Sequence, residues 1–161
     1  VLLFSVPGDP RPQPRVKAAV RGKHAHIYTP SHADDWKHDV RASAIEAIRE
    51  RGGWTLVPPG VAVEVQLDFA FRRPKAHYRT GRFSDMLKAS APMRHAQLPD
   101  RDNCEKAVTD ALGGFQGMPP LIWCDDRQID GGEVRKRWAD PGEDPGVTIL
   151  VVEEDQEATA C

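Results

Sequence analysis

No stretch of this 161-residue chain stays apolar for the roughly 20 residues that a bilayer-spanning helix needs, which removes a helical membrane span. The opening Val1-Leu2-Leu3-Phe4 is too short for the apolar core of a secretion signal and has no basic flank before it. It reads as a first strand, and an intracellular, cytoplasmic protein is the expectation. Cysteine is scarce: Cys104, Cys124 and Cys161 form no C-x-x-C pair and no zinc-like spacing. An odd number of thiols without an export signal implies that they are reduced and buried or incidental. The chain also lacks internal repeats and low-complexity tracts.

Charge of one sign is missing from two places. Residues 139–161 hold seven acids and no Lys or Arg, so the first 138 residues carry 17 acids against 22 bases, a formal +5 within a chain of net charge −2. Residues 10–33 hold no acid at all, but contain Arg11, Arg15, Lys17, Arg21 and Lys23. Local patches, not the net value, decide whether a polyanion binds.

At 40% hydrophobic and 29% charged, the composition is that of a soluble protein, and the length suits one domain. Leu2–Val6 reads as a strand, followed by an extended proline-rich segment, Pro10–Arg15. Val16–Val20 and His24–Tyr28 flank Arg21-Gly22-Lys23 as a hairpin. Ser31 is positioned to cap a helix whose apolar face is Trp36, Val40, Ala44, Ala47 and Ile48, ended by Gly52-Gly53. Residues 61–71 alternate strictly, which predicts a strand with one buried face. Residues 72–99 have no period and are basic: Arg72, Arg73, Lys75, Arg79, Arg82, Lys88 and Arg94 face only Asp85. A connection of that length is functional or disordered. A second helix is expected over 103–112, stopped by Gly113-Gly114. Leu121–Cys124 is a short apolar run, and 133–138 and 147–152 are closing strands. The sum is an α+β fold, a single domain with a mixed β-sheet and two main helices packed on it. The domain spans 1–152 and an acidic, disordered tail spans 153–161.

The chemistry concentrates at Pro99-Asp100-Arg101-Asp102-Asn103-Cys104-Glu105-Lys106. In an extended segment residues i and i+2 point the same way, about 6.6 Å apart, so Asp100 and Asp102 converge. Two close carboxylates repel unless a cation lies between them. A hard divalent ion with oxygen ligands answers that need, and Mg²⁺ suits phosphate chemistry. Asp102-x-x-Glu105 is also a capping-box pattern, so Asp102 has a structural alternative. Lys106, one turn beyond Asp102, can meet a phosphate or simply pair with Asp102 or Asp110. Asp125-Asp126 is a third acidic element, and by itself an ordinary turn. His95, five residues before Asp100, is read as non-catalytic. Tyr78, Phe83 and Phe115 can stack on unpaired bases, or pack.

These residues carry a resemblance. Asp100-x-Asp102-Asn103-x-x-Lys106-Ala107-x-x-Asp110-Ala111-Leu112, followed by Asp125-Asp126-x-Gln128-Ile129, resembles the RusA family of Holliday junction resolvases. Pro12-x-Pro14-Arg15, Tyr28-Thr29-Pro30 and Trp36 are similar to members of that family as well. The resemblance touches most of residues 4–152. It implies a homodimeric, Mg²⁺-dependent endonuclease, with Mn²⁺ as a substitute, that cuts four-way DNA junctions in a prokaryotic or phage setting. It makes Asp100, Asp102 and Asp126 the metal-binding catalytic carboxylates, with Asp125 beside them, and Lys106 the catalytic lysine. Asp110 falls on the pattern without an assigned role. Arg11, Arg15, Lys17, Arg72, Arg73, Lys75, Arg79, Arg82 and Arg101 become the DNA-binding set. The loop between Gly113 and Asp125, with its Pro119-Pro120, and the segment 72–99 are both longer than the family pattern. That opens forks and flaps as substrates beside four-way junctions. Two other classes remain to be weighed: a non-catalytic branched-DNA-binding module, and a small metal-dependent nucleotide phosphohydrolase.

Overall fold

A computed structural model describes residues 1–21, 24–28 and 30–153. The regular elements run in the order β1 (Leu2–Pro7), β2 (Lys17–Arg21), β3 (His24–Tyr28), α1 (Asp34–Glu50), β4 (Val63–Phe71), α2 (Arg101–Gly113), β5 (Ile129–Gly131), β6 (Val134–Trp138) and β7 (Gly146–Glu153). β2 and β3 pair as the expected hairpin. Its turn at Gly22-Lys23 lies outside the described residues, as do Thr29 and the acidic tail over 154–161.

The architecture is α+β, with a mixed sheet and two main helices. β4 lies inside the sheet because its alternation gives it a fully apolar inner face: Val63, Val65, Leu67, Phe69 and Phe71 are all buried. β7 pairs antiparallel with β4 and with β1. On its other side β4 pairs in parallel with two strands in succession, β5 at Val63 and Glu64, then β6 from Leu67 to Phe71. The inner residues of β1 and β7 join those of β4 in one core with Trp36, Val40 and Ala44 of α1 and Cys104, Ala107, Val108, Ala111 and Leu112 of α2.

Several local expectations change. Ser31 does not cap α1: the helix begins two residues later, its N-cap position is Ala33, and Ser31 offers its carbonyl to the Asp34 amide at 2.9 Å. Asp34 and Asp35 in the first turn complement the helix dipole instead. α2 begins at Arg101, with Asp100 at its N-cap position. Asp102 is therefore inside the first turn, where its helical backbone prevents it from capping, and the Asp102–Glu105 box does not form. β4 starts at Val63, two residues after the alternation does, and Leu121–Cys124 contributes a single bridge, Trp123 to Val57. The three-residue β5 was not expected.

Two buried cations join the helices. Arg41 of α1 donates to the carbonyls of Ala111, 2.7 Å, and Pro119, 3.0 Å, so it serves the open C-terminal end of α2. Lys37, only 5% exposed, donates to Asp110 at 3.2 Å. On the other side of the sheet Arg137 donates to Asp68 at 2.8 Å and to both oxygens of Glu143 at 2.6 Å, tying β6 to β4 and to the turn before β7.

Gly132 lets β4 change partners. It has φ +120°, and a Cβ there would stand 2.0 Å from the Val65 carbonyl oxygen. Gly132→Ala is expected to cost about 3 kcal/mol or more in urea denaturation, from strain plus overlap. A loss under about 1 kcal/mol would show that the β5–β6 junction relaxes freely. Glu143 gives a second expectation. The Arg137 guanidinium, and then the Asp140 amide, pull its carboxyl from 4.5 to about 2. A depressed folded-state value stabilises the fold above the unfolded value and is lost as pH falls towards the folded one. The melting temperatures of wild type and Glu143→Gln should therefore differ most above about pH 5 and converge only as pH falls to about 2. A gap that is constant with pH would contradict this.

Candidate active site

The start of α2 is held in place from below and from the side. Lys136, an inward residue of β6, donates to the carbonyls of Gln97 and Pro99, both at 2.6 Å. The proline-rich segment lies alongside: the Gln13 amide donates to the Asn103 carbonyl at 2.7 Å, and Arg15 reaches the Asp100 carboxylate at 3.4 Å. Between this strap and α2 runs a groove of about 490 Å³, lined by Arg11, Arg15, Lys17, His32, Asp100 and Asn103 among others. Three cations of the strap thus share one groove with the carboxylate at the helix start, and Pro10, Pro12, Pro14, Leu98 and Pro99 form most of the rest of its wall.

Asp100 has an extended backbone and Asp102 a helical one, so the strand argument for their convergence does not hold. Two residues apart across a helix start, their side chains diverge by the helical rotation of about 100° per residue. Both are exposed, and both act on Cys104 behind them. Its thiol is pushed up to about 12, mainly by burial, with Asp100 and Asp102 adding and Lys136 opposing. That thiol is inert packing.

Lys106 pairs with Asp110 at 3.0 Å, the ordinary i,i+4 alternative, and not with Asp102. Asp110 is shared, since the buried Lys37 takes its other oxygen. Lys106 itself stays exposed, so its ammonium is tethered at one side and open to solvent at the other.

The third acidic element sits on a 3₁₀ turn, Asp126–Gln128, which packs against α2. Here a capping box does form. Asp125 accepts from the Arg127 amide and Nε, both at 2.9 Å, and from Arg127 Nη2 at 2.6 Å. The Arg127 side chain and amide hold the Asp125 carboxyl well below the usual carboxylate range. Asp125 is thereby committed locally. Asp126 is exposed and enters no ion pair among the described residues.

Gln128 is the residue whose role sequence reasoning missed, although it stands in the quoted motif. Its buried amide accepts from the Cys124 and Asp125 amides, both at 2.9 Å, and donates to the Pro58 and Val61 carbonyls at 2.8 and 3.0 Å. One side chain therefore ties the acidic turn to the chain before β4. Lys136 was missed too. Its only signal is that it shares an inward face with Val134 and Trp138.

Among the described residues, no three His, Cys, Asp or Glu side chains stand close enough together to hold a metal ion. The donor chemistry still suits a hard divalent cation, since Asp100, Asp102 and Asp126 offer only solvent-facing carboxylate oxygens. The expected DNA-binding residues divide. Arg15 lines the groove with Arg11 and Lys17, and Arg72 pairs with Asp9. Arg73 is held by the Pro92 carbonyl and the Trp138 ring. Lys75, Arg79, Arg82 and Arg101 are exposed. Arg21 and Lys23 are not described at the side-chain level. His95 is buried between Phe71 and Trp138, a packing role. Phe115 packs edge-on against His38 with Lys37 over its ring, while Phe83 is exposed.

Gln128→Leu keeps the volume but strands two amides and two carbonyls. It should cost on the order of 2–4 kcal/mol in urea denaturation. A loss under about 1 kcal/mol would show that water replaces the amide.

Comparison with curated proteins finds no match. Comparison with protein families matches residues 7–151 to the family described as Endodeoxyribonuclease RusA. With that match spanning nearly all of its 161 residues, the chain belongs to the RusA family of endodeoxyribonucleases, hydrolases that cut DNA at crossover junctions.

Proposed function

We propose that this protein is a divalent-metal-dependent, structure-selective DNA endonuclease that acts as a homodimer on Holliday junctions and accepts forks or flaps as well. The observation that carries the reading is the groove that Arg11, Arg15 and Lys17 share with Asp100. A groove of that kind suits a polyanionic strand, and the Asp100 carboxylate in its lining suits phosphodiester hydrolysis.

Asp100, Asp102 and Asp126 would hold Mg²⁺, with Mn²⁺ as a substitute. Asp126 is favoured over Asp125 because Asp125 is occupied by Arg127. The ion, when bound, neutralises charge on the attacked phosphate and lowers the barrier for water. The remaining work falls to the chain's own groups. Lys106, held by Asp110 and open on its other side, presents its ammonium to a phosphate oxygen as charge develops there. Arg11, Arg15 and Lys17 hold flanking phosphates, which confers affinity without sequence reading. The Arg15–Asp100 pair is exposed, with Arg15 82% so, and such pairs contribute about 0–1 kcal/mol. An incoming phosphate can take Arg15 from Asp100 at little cost, and leaves the carboxylate available to the ion.

A homodimer suits a junction with two-fold symmetry, because two copies place two sites on opposed strands. The sheet face away from the helices supports a contact there, since Leu3 of β1 stands 63% exposed beside the half-buried Leu150 of β7. A nucleotide phosphohydrolase is disfavoured, because the cations are spread along a groove and along residues 72–99.

Cleavage of synthetic four-way, forked and linear DNA tests the reading. Asp102→Asn and Asp126→Asn should each lower cutting by at least about a hundredfold while junction binding stays within about threefold. Chelation should stop cleavage, and added Mg²⁺ should restore it. Equal cutting of linear duplex, or full activity of either variant, would refute the assignment.

A further inference from the structure

Between β4 and α2 the chain makes an excursion, residues 72–99, that begins at Phe71 and returns to Asp100. Its base is stapled to the last residue of β6. Trp138 is met by His95 at 4.1 Å, edge-on by His77 at 5.1 Å, and by the Arg73 guanidinium at 5.5 Å. Arg73 also bonds across the base to the Pro92 carbonyl at 2.9 Å. Above the base the two legs are cross-linked. Tyr78 bridges Leu87, the Lys88 amide donates to His77 at 2.9 Å, and the Arg79 amide donates to Met86 at 2.8 Å. Beyond these rungs the chain turns back over Gly81–Phe83. Among the described residues, 79–91 make hydrogen bonds only within 76–91. This is a braced arm, not a slack loop.

The end of the arm is unusual for a solvated turn. Phe83 is 41% exposed and Met86 45% exposed, and Arg82 lies over the Phe83 ring at 4.7 Å. Arg79 and Arg82 are exposed on the same arm, the Lys88 ammonium is tied to the Ala76 carbonyl at 2.9 Å, and Asp85 is the only acid from 72 to 94. Exposed apolar side chains on a basic arm match a surface that offers negative charge and open ring faces together. In linear duplex the base faces are covered by stacking. At a branch point they are not, and aromatic or apolar side chains can stack on them or wedge between them.

We infer that the arm tip, Phe83 and Met86 flanked by Arg79, Arg82 and Lys88, engages exposed bases at a DNA branch point and so selects branched over linear substrate. This rests on the DNA reading above, but not on the metal or the carboxylates. The cations hold the phosphates on either side of the branch. The stapled base fixes the distance between the tip and Asp100, where the excursion ends.

The test uses the full chain. Binding of a four-way junction and of linear duplex is measured by fluorescence anisotropy for the parent and for Phe83→Ala/Met86→Ala, with 2-aminopurine at the branch as a second readout. The double variant should bind the junction about tenfold more weakly and duplex within about twofold, and should lose the parent's branch-specific 2-aminopurine change. Phe83→Trp should keep that change. Unaltered junction binding and fluorescence in the double variant would overturn the inference, as would an equal loss on junction and duplex. So would a drop to monomer in sedimentation with DNA binding intact, which would assign the tip to a second copy. If the parent binds junctions through the tip but never cuts them with Mg²⁺ or Mn²⁺, the nuclease reading fails and this inference stands. If the parent cuts junctions and the tip variant is indistinguishable from it, the reverse holds.

Discussion

Parallel pairing is the constraint from which the rest follows. β4 accepts β5 and β6 as parallel partners, and a parallel partner cannot be reached by a tight turn. The chain must travel back along the sheet before it can pair again, and it uses residues 72–128 to do so. That connection carries the arm, α2 and the 3₁₀ turn, and with them Asp100, Asp102, Lys106, Asp110, Asp125 and Asp126. The strands supply rigidity and one lysine, and the crossover supplies almost everything chemical. Gly132 belongs to the same constraint, because β4 can change from one parallel partner to the next only where a residue without a side chain passes the Val65 carbonyl.

The crossover is fixed by buried charge as much as by apolar contact. Lys37 and Arg41 leave water at the α1–α2 interface, which is costly unless each finds partners. Arg41 finds two carbonyls and Lys37 finds Asp110. Replacing one partner alone would strand a buried charge, so these contacts set how α2 sits on α1. Asp110 then transmits that setting outward, because its second oxygen holds Lys106. A lysine with a proposed role at the phosphate is thus oriented by a lysine that no substrate can touch.

The apolar periods made β1, α1, β4 and α2 legible, and the mixed α+β architecture with them. Local motifs were less reliable, for a physical reason. Between residues 100 and 128 the sequence holds two capping-box patterns, Asp102-x-x-Glu105 and Asp125-x-x-Gln128, and nothing local distinguishes them. The first fails because Lys136 and the strap position the chain so that the helix begins at Arg101, which puts Asp102 inside it. The second succeeds because Gln128 also has the Pro58 and Val61 carbonyls to satisfy. Buried and half-buried polar residues were the least legible class: Lys37, Arg41, Lys136 and Gln128 each break the apolar pattern or lie beside it, and each has partners distant in sequence. The choice between Asp125 and Asp126 depends on a side chain two residues away, and Arg127 was in plain view.

The two ends of the site differ in how firmly they are held, and the difference has a direction. The carbonyls before Asp100, the Asp125 turn and the base of the arm are each fixed by several short hydrogen bonds or by packed rings. Asp100 emerges from these fixed points with two long contacts, Arg15 and Asn103 at 3.4 Å, Lys106 with one exposed ion pair, and Asp102 and Asp126 with no ion pair among the described residues. Backbone is fixed by several contacts at these points, and the side chains are open where the proposed chemistry would exchange charge. Carboxylates at a helix N-terminus are stabilised by the dipole even without a counter-ion, so α2 tolerates Asp100 and Asp102 as neighbours while they face solvent. The cost of gathering acids is carried by the helix start, and the basic strap beside it offers cations that a phosphate can compete for.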